Sequence, residues 1–365
     1  MSGHGAEYPE TMALRLRKGC REVTTPVEHL KAARLIWHFE EFTSDTLLFG
    51  KRFWVEEILP LAFHHDYLMH AILAIASSHL SFLLPQARES ERSMKIHLGH
   101  TLPGFRKAVG TVASIQDTDV LIACGFLLLY YMWSVPFFND EGNPSLSADS
   151  DGLFWFALGL KEVTVTAYET QTRAQAHGLF QDIAIPQYVK VLADIRNRTE
   201  NAICSYDFNK NFFGNLESPC TQNDATPPPS CREINALERL APIFYVVDSY
   251  SIGLDLADVM PSFMVYSLIW PTKTSQQFVD DISQGKSHAL LVLLSFYASV
   301  WLVLADSAWW AHRRCKIMCE SILAQLIHQN NGACSENLHE ITRYFDFKQN
   351  DEGKWDVNNR VTLRV

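Results

Sequence analysis

Apolar positions recur along this chain every three or four residues, the period of an α-helix with one face on a core, and few stretches alternate at period two. Pro26–Phe49 reads as a first amphipathic helix, opened by Thr25 and Pro26 in cap and first-turn positions. Asp66–Leu84 follows as a strongly apolar helix ended by Pro85, and a further helix runs from about Ala87 to Val109. Thr118–Trp133 is apolar on every side, the mark of a helix at the centre of a globule. Asp151–Gln171 reads helical, weakened by the β-branched run Val163, Thr164, Val165 and Thr166. Glu233–Ile252, Gly285–Asp306 and Ser307–Gln329 complete the set. Asn139–Ser150 is a polar loop, and residues 178–232 form an irregular insertion. Phe208, Phe212 and Phe213 give that insertion something to bury, so a lid and an ordinary surface loop both fit it. The pattern predicts an all-α fold: one multi-helix domain over residues 26–346 that encloses an apolar pocket. A flexible segment (1–25) precedes it and a tail (347–365) follows.

Composition sharpens this. Hydrophobic residues make up 47% of the 365, and aromatics reach 12%, a surplus that suits a roomy interior lined by flat rings. The net charge of −10 argues against a surface built to grip a phosphate backbone, so no direct contact with nucleic acid is expected. Arg15, Arg17, Lys18 and Arg21 form the one basic knot, read as a solvated tail. Eight cysteines lie scattered without a CxxC and no signal peptide opens the chain, which points to reduced thiols in the cytosol, or in the nucleus for a regulator. Val120–Phe138 and Ala289–Ala305 carry no charge, yet they read as central core helices and no membrane is expected.

Familiar catalytic motifs are missing. No GxGxxG, GxSxG or HExxH occurs, and Gly285-Lys286-Ser287 has Asp280 where a phosphate loop needs its first glycine. His64, His65, His70 and His79 are spaced so that they diverge around a helix and read as scaffold. His97 and His100 share a helix face without a visible third ligand. His312, Cys315 and Cys319 make the best soft-ligand row, though small residues there suit close helix packing better. No metal and no cofactor are therefore expected. Two aromatic–polar clusters stand out: Tyr130, Tyr131 and Trp133 before Pro136, and Trp309-Trp310 beside His312, Arg313 and Arg314. A phenol or indole buried in an apolar hollow needs a partner, and a ligand oxygen can be one.

Specific segments resemble a known family. Leu35–Thr43 and Leu59–Leu80 match the opening of the C-terminal regulatory domain of fungal binuclear zinc-cluster transcription factors of the sterol uptake control type. His97–Arg106, Trp155–Val163, Trp270-Pro271, Phe278-Val279, Ala289–Tyr297 and Trp309-Trp310 follow in the family's order, so the likeness spans roughly residues 28–328. It implies that His65, His70, His79, Trp270 and the Trp309-Trp310 pair are scaffold marks. The family's DNA-binding module needs six cysteines in two CxxC-led triplets, whereas only Cys20 precedes residue 124 here. The resemblance further implies an all-α domain holding a hydrophobic small molecule. The chain is also similar to stand-alone relatives from fungal secondary metabolism that act as cofactor-free hetero-Diels–Alderases, joining a tropolone quinone methide to a humulene-type sesquiterpene.

Three readings result. The first is a cofactor-independent pericyclase of polyketide or terpenoid biosynthesis, with Tyr130, Tyr131, His64 and Arg313 as catalytic donors and Phe126, Trp133, Phe137, Trp309 and Trp310 as substrate-binding walls. Close behind stands a hydrophobic-ligand-sensing transcriptional regulator or co-regulator without its own DNA-binding module. A structural partner with a collapsed pocket is the weakest. A hydrophobic small molecule is the expected partner, and a homodimer is one assembly open to the chain.

Overall fold

The computed structural model describes residues 26–86, 88–110, 115–135, 152–173, 178–180, 236, 238–251, 253, 255–304, 307–329, 332–349 and 355–356. Within them the fold is all-α; the one β pairing sets Lys348 against Asp356 and Gln349 against Trp355. Residues 1–25, Asn139–Ser150, Phe137 and nearly all of 178–232 lie outside the described residues. Contacts divide the chain into two compact units, Met1–Met132 with Leu160–Tyr188, and Trp133–Gly159 with Val189–Val365.

The first unit begins with α1, Pro26–His38. Sequence periodicity carries this helix to Phe49, but the backbone widens into a π turn over Phe39–Thr43 and tightens to a 3-10 turn at Ser44–Thr46. The cause is local. The hydroxyl of Ser44 donates to the Glu40 carbonyl and that of Thr46 to the Thr43 carbonyl, competing with the helical ladder. Short helical turns over Gly50–Ala62 lead to α2 (Asp66–Leu83), followed by α3 (Arg88–Val109). The two helices pack antiparallel along their length. Ser77 meets Ser93 through their hydroxyls, and the Cβ of Tyr67 lies where a side chain on Gly104 would start.

That close approach sets a test of the packing. A Cβ at Gly104 would stand 2.5 Å from Tyr67 Cβ, an atom fixed to the backbone of α2, so the helices themselves must part. A Cβ at Gly125 would stand 2.4 Å from Leu160 Cδ1, the far end of a side chain that can turn away. Gly104→Ala is expected to cost about 2 kcal/mol in urea denaturation and Gly125→Ala clearly less. Equal losses would mean that the two helices yield as readily as a leucine.

α4 (Ile115–Ser134) is buried on all sides from Thr118 to Gly125 and again over Leu127–Tyr131. Its Asp119 carboxylate, itself buried, accepts from the backbone N–H groups of Leu179 (2.9 Å) and Phe180 (3.5 Å). This grip seats Phe180 among Phe49, Phe53 and Phe126, with ring centroids 5.2–5.9 Å apart. α5 (Leu153–Arg173) stays helical through its β-branched run, and Thr164 returns its hydroxyl to the Leu160 carbonyl.

The second unit holds α6 (Ala241–Ser251), α7 (Met260–Ile269), α8 (Gln276–Ser283), α9 (Ser287–Leu304), α10 (Trp309–Gln329) and α11 (Gly332–Tyr344). Gly285 ends α8 in the left-handed region at φ +66°, where the Lys286 N–H closes back onto the Asp281 carbonyl. The glycine that looked like part of a phosphate loop is a helix stop. α9 and α10 then pack as a hairpin, pinned at the open end by Gln329, whose amide donates to the Gly285 carbonyl at 3.0 Å. α9 is long and apolar enough to cross a bilayer, but 83% of its residues are buried within the protein, as a core helix would be.

Candidate functional site

The second unit is built around aromatic rings supplied by six stretches of the chain. Trp133 closes α4, Phe154 opens α5, Trp270 follows α7, Phe278 lies on α8, Phe296 and Tyr297 on α9, and Trp310 on α10. Trp270 stacks on Phe296 with centroids 4.1 Å apart and takes Phe154 and Phe278 edge-on. Trp133 meets Trp310 at 5.1 Å and Tyr297 at 5.9 Å, both edge-on. Edge-to-face contact matches the positive rim of one ring to the negative face of the next, which fixes ring orientation as well as burying area.

Polar groups inside this nest are few. The Trp133 indole donates to the Leu268 carbonyl at 3.0 Å. Arg314 is fully buried, and its guanidinium donates to the carbonyls of Trp133 (3.3 Å) and Val135 (2.8 Å), where α4 leaves its last acceptors unpaired. Ser267 Oγ and Trp270 Nε1 differ: both residues are buried to zero exposure and neither atom has a hydrogen-bond partner among the described residues. They stand three positions apart, on one face of α7 and the turn that continues it.

The expected site residues fall as follows. Trp133, Trp309 and Trp310 are buried, the first and last in the nest. Arg313 is exposed, because it stands one position off the buried stripe Trp310, Arg314, Met318, Ile322 of α10; its neighbour Arg314 is the arginine inside. In the first unit Tyr130 is buried with its hydroxyl accepting the Leu48 N–H at 2.7 Å, and burial pushes its phenol upward. Tyr131 is buried as well, its phenol raised for the same reason. Phe126 is half-buried in the four-phenylalanine cluster, whereas His64 is exposed in the turn after Leu59–Ala62. Phe137 lies outside the described residues. Cys315 and Cys319 are fully buried with thiols pushed up by desolvation, and the His312 ring packs on Trp301 at 4.9 Å.

Ser267, Trp270 and Arg314 were not singled out as site residues by sequence reasoning. A signal existed for Arg314, since a charge at the i+4 position of an apolar helical stripe asks for a buried partner. Ser267 gave none, as a small hydroxyl within an apolar helix reads the same whether it returns to its own backbone or points elsewhere.

Comparisons with known proteins add two findings. Residues 31–141 match the fungal specific transcription factor domain. The chain is also similar to Sterol uptake control protein 2 of Candida albicans, at 22% identity over 288 residues, which cover 76% of this chain and 38% of that protein. The chain thus spans less than two-fifths of the length of that relative. The resemblance to a regulatory domain of the sterol uptake control type stands on both. Neither of these two matches is an enzyme by name, so they favour regulation over the pericyclase reading and lend the narrower likeness to hetero-Diels–Alderases no support.

Proposed function

We propose that this transcription-factor-type chain is a ligand-sensing regulator or co-regulator acting in the nucleus, and that its ligand is a small apolar molecule carrying one polar oxygen. The observation behind this is the pair Ser267 Oγ and Trp270 Nε1, two buried hydrogen-bonding groups one helical turn apart with no hydrogen-bond partner among the described residues, the indole itself stacked on Phe296. Leaving a buried donor unmade costs about 1–3 kcal/mol, a penalty that a hydroxyl or carbonyl oxygen on a guest removes. Rings around it bind the apolar body without directional demand, and the lone polar end sets orientation. The name of the Candida albicans relative makes sterols the first class to try. Regulation then follows if the bound and free forms of this domain differ in affinity for a DNA-binding factor.

Ser267→Ala gives the sharpest test because its two effects have opposite sign. Removing an unpaired hydroxyl is expected to stabilise the free protein by about 1 kcal/mol, while affinity for an oxygenated sterol or terpenoid drops about tenfold. Thermal shift and tryptophan quenching measure both, with a hydrocarbon such as humulene as the ligand lacking oxygen. A Ser267→Ala protein that is less stable alone, yet binds as tightly as before, would remove Ser267 from the site. Product formed from a quinone methide and humulene above a no-protein control would move the conclusion to the cycloaddition reading instead.

A further inference from the structure

Packing of α2 on α3 gathers three imidazoles that the sequence separates by up to 30 residues. His97 and His100 stand one turn apart on α3, and His70 faces them from α2. The register is that of the whole seam, with Ser77 opposite Ser93 and Tyr67 opposite Gly104. His70 Nδ1 lies 3.0 Å from His97 Nδ1, and the His100 ring stacks on His70 with centroids 4.7 Å apart. His70 and His97 are half-buried and His100 is exposed, so the cluster opens to solvent on one side.

We propose that His70, His97 and His100 form a binding site for a divalent transition-metal ion that staples α2 to α3. Two neighbouring ligands on an ion with metal–nitrogen bonds of about 2.0–2.1 Å stand roughly 3.0–3.4 Å apart, which is the spacing His70 and His97 already have. Among the described residues no three His, Cys, Asp or Glu side chains stand placed to hold a metal ion, so the site forms only when His70 and His97 turn from the hydrogen bond between their Nδ1 atoms toward a shared ion and His100 turns out of the stack. His97 enters neutral, since burial first and then the neighbouring His70 and His100 hold it down to about 4. The one proton between the two Nδ1 atoms moves to an Nε2 as the metal takes both lone pairs, and no other group changes charge. Imidazole donors suit Ni2+, Cu2+ and Zn2+.

The rival account of the same distance is a plain N–H···N hydrogen bond, and Ni2+ separates the two. Calorimetric titration of the full chain with NiCl2 is expected to show one site of micromolar affinity and a rise in Tm. His100→Gln, a change at an exposed position, is expected to weaken it roughly tenfold, and His97→Gln more. His328→Gln, exposed at the end of α10, serves as the control and is expected to bind as wild type does. No one-to-one binding in wild type, or the same affinity in all three variants, overturns the proposal. A His97→Gln protein that fails to fold leaves the exposed His100→Gln variant to decide.

Discussion

Arg314→Met is expected to lower the stability of the chain by about 4 kcal/mol, the largest effect of any single change considered. The side chain has zero exposure and its guanidinium serves two main-chain carbonyls at the C-terminal end of α4. Each orphaned carbonyl costs about 1–3 kcal/mol, and the flexible thioether leaves part of the guanidinium volume empty. Some buried charges can be replaced by apolar residues at no loss, but only where every partner is replaced too. Here the two carbonyls that Arg314 serves are backbone, which no mutation removes. A cation at this place also offsets the negative end of the helix dipole.

Arg314→Lys separates charge from geometry. An ammonium keeps the charge and has three donors, but on one compact nitrogen they do not span two carbonyls as the planar fork of a guanidinium does, so an intermediate loss is expected. Because one of those carbonyls belongs to Trp133, whose ring is edge-on to Trp310 and Tyr297, the tryptophan emission of the folded protein is expected to change with it. Urea denaturation followed by circular dichroism and by fluorescence gives both readings. A loss below 1 kcal/mol for Arg314→Met would show that water, rather than Arg314, satisfies the end of α4.

Long helices were the legible part of this fold. Asp66–Leu83, Arg88–Val109 and Trp309–Gln329 begin and end within two residues of where periodicity and Pro85 put them. α7, α8 and α11 went unread for a physical reason: at 10, 8 and 13 residues they offer few turns for a period to declare itself. Signals for two of them were present, in Pro261 at the first turn of α7 and in Ser275, whose hydroxyl accepts the Phe278 N–H to cap α8. α6 starts eight residues after the expected Glu233, since Glu238–Leu240 forms a 3-10 turn ahead of it. For the site, aromatic content was readable but partnership was not. Trp133 and Trp310 could be named from their clusters, whereas a choice between Arg313 and Arg314 needed the helix phase. Histidines taught the same lesson, because spacing along one helix says nothing about what a neighbouring helix brings opposite, as His70 does for His97 and His100.

Stability is expected to fall by about 3 kcal/mol between pH 6.5 and pH 4 on account of one residue, His79. The ring is buried under α1, with its Nδ1 3.0 Å from the Thr43 hydroxyl and its centroid 5.2 Å from that of His38. Burial foremost, and then the neighbouring His38, bring His79 down to about 4. Above pH 6.5 the ring is neutral in both the folded and the unfolded chain, and its titration contributes nothing. Below 6.5 the unfolded chain gains a proton that the folded one refuses, so unfolding becomes easier until the folded ring itself titrates near 4. His38 shifts the same way through burial, and its Nε2 has no partner among the described residues, so it adds to the slope. His79→Asn keeps a group able to bond Thr43 but cannot titrate in this range. Its urea midpoint is therefore expected to vary less between pH 7.5 and pH 4.5 than that of wild type. Parallel pH profiles for the two proteins would mean that water reaches the ring and that α1 does not seal it.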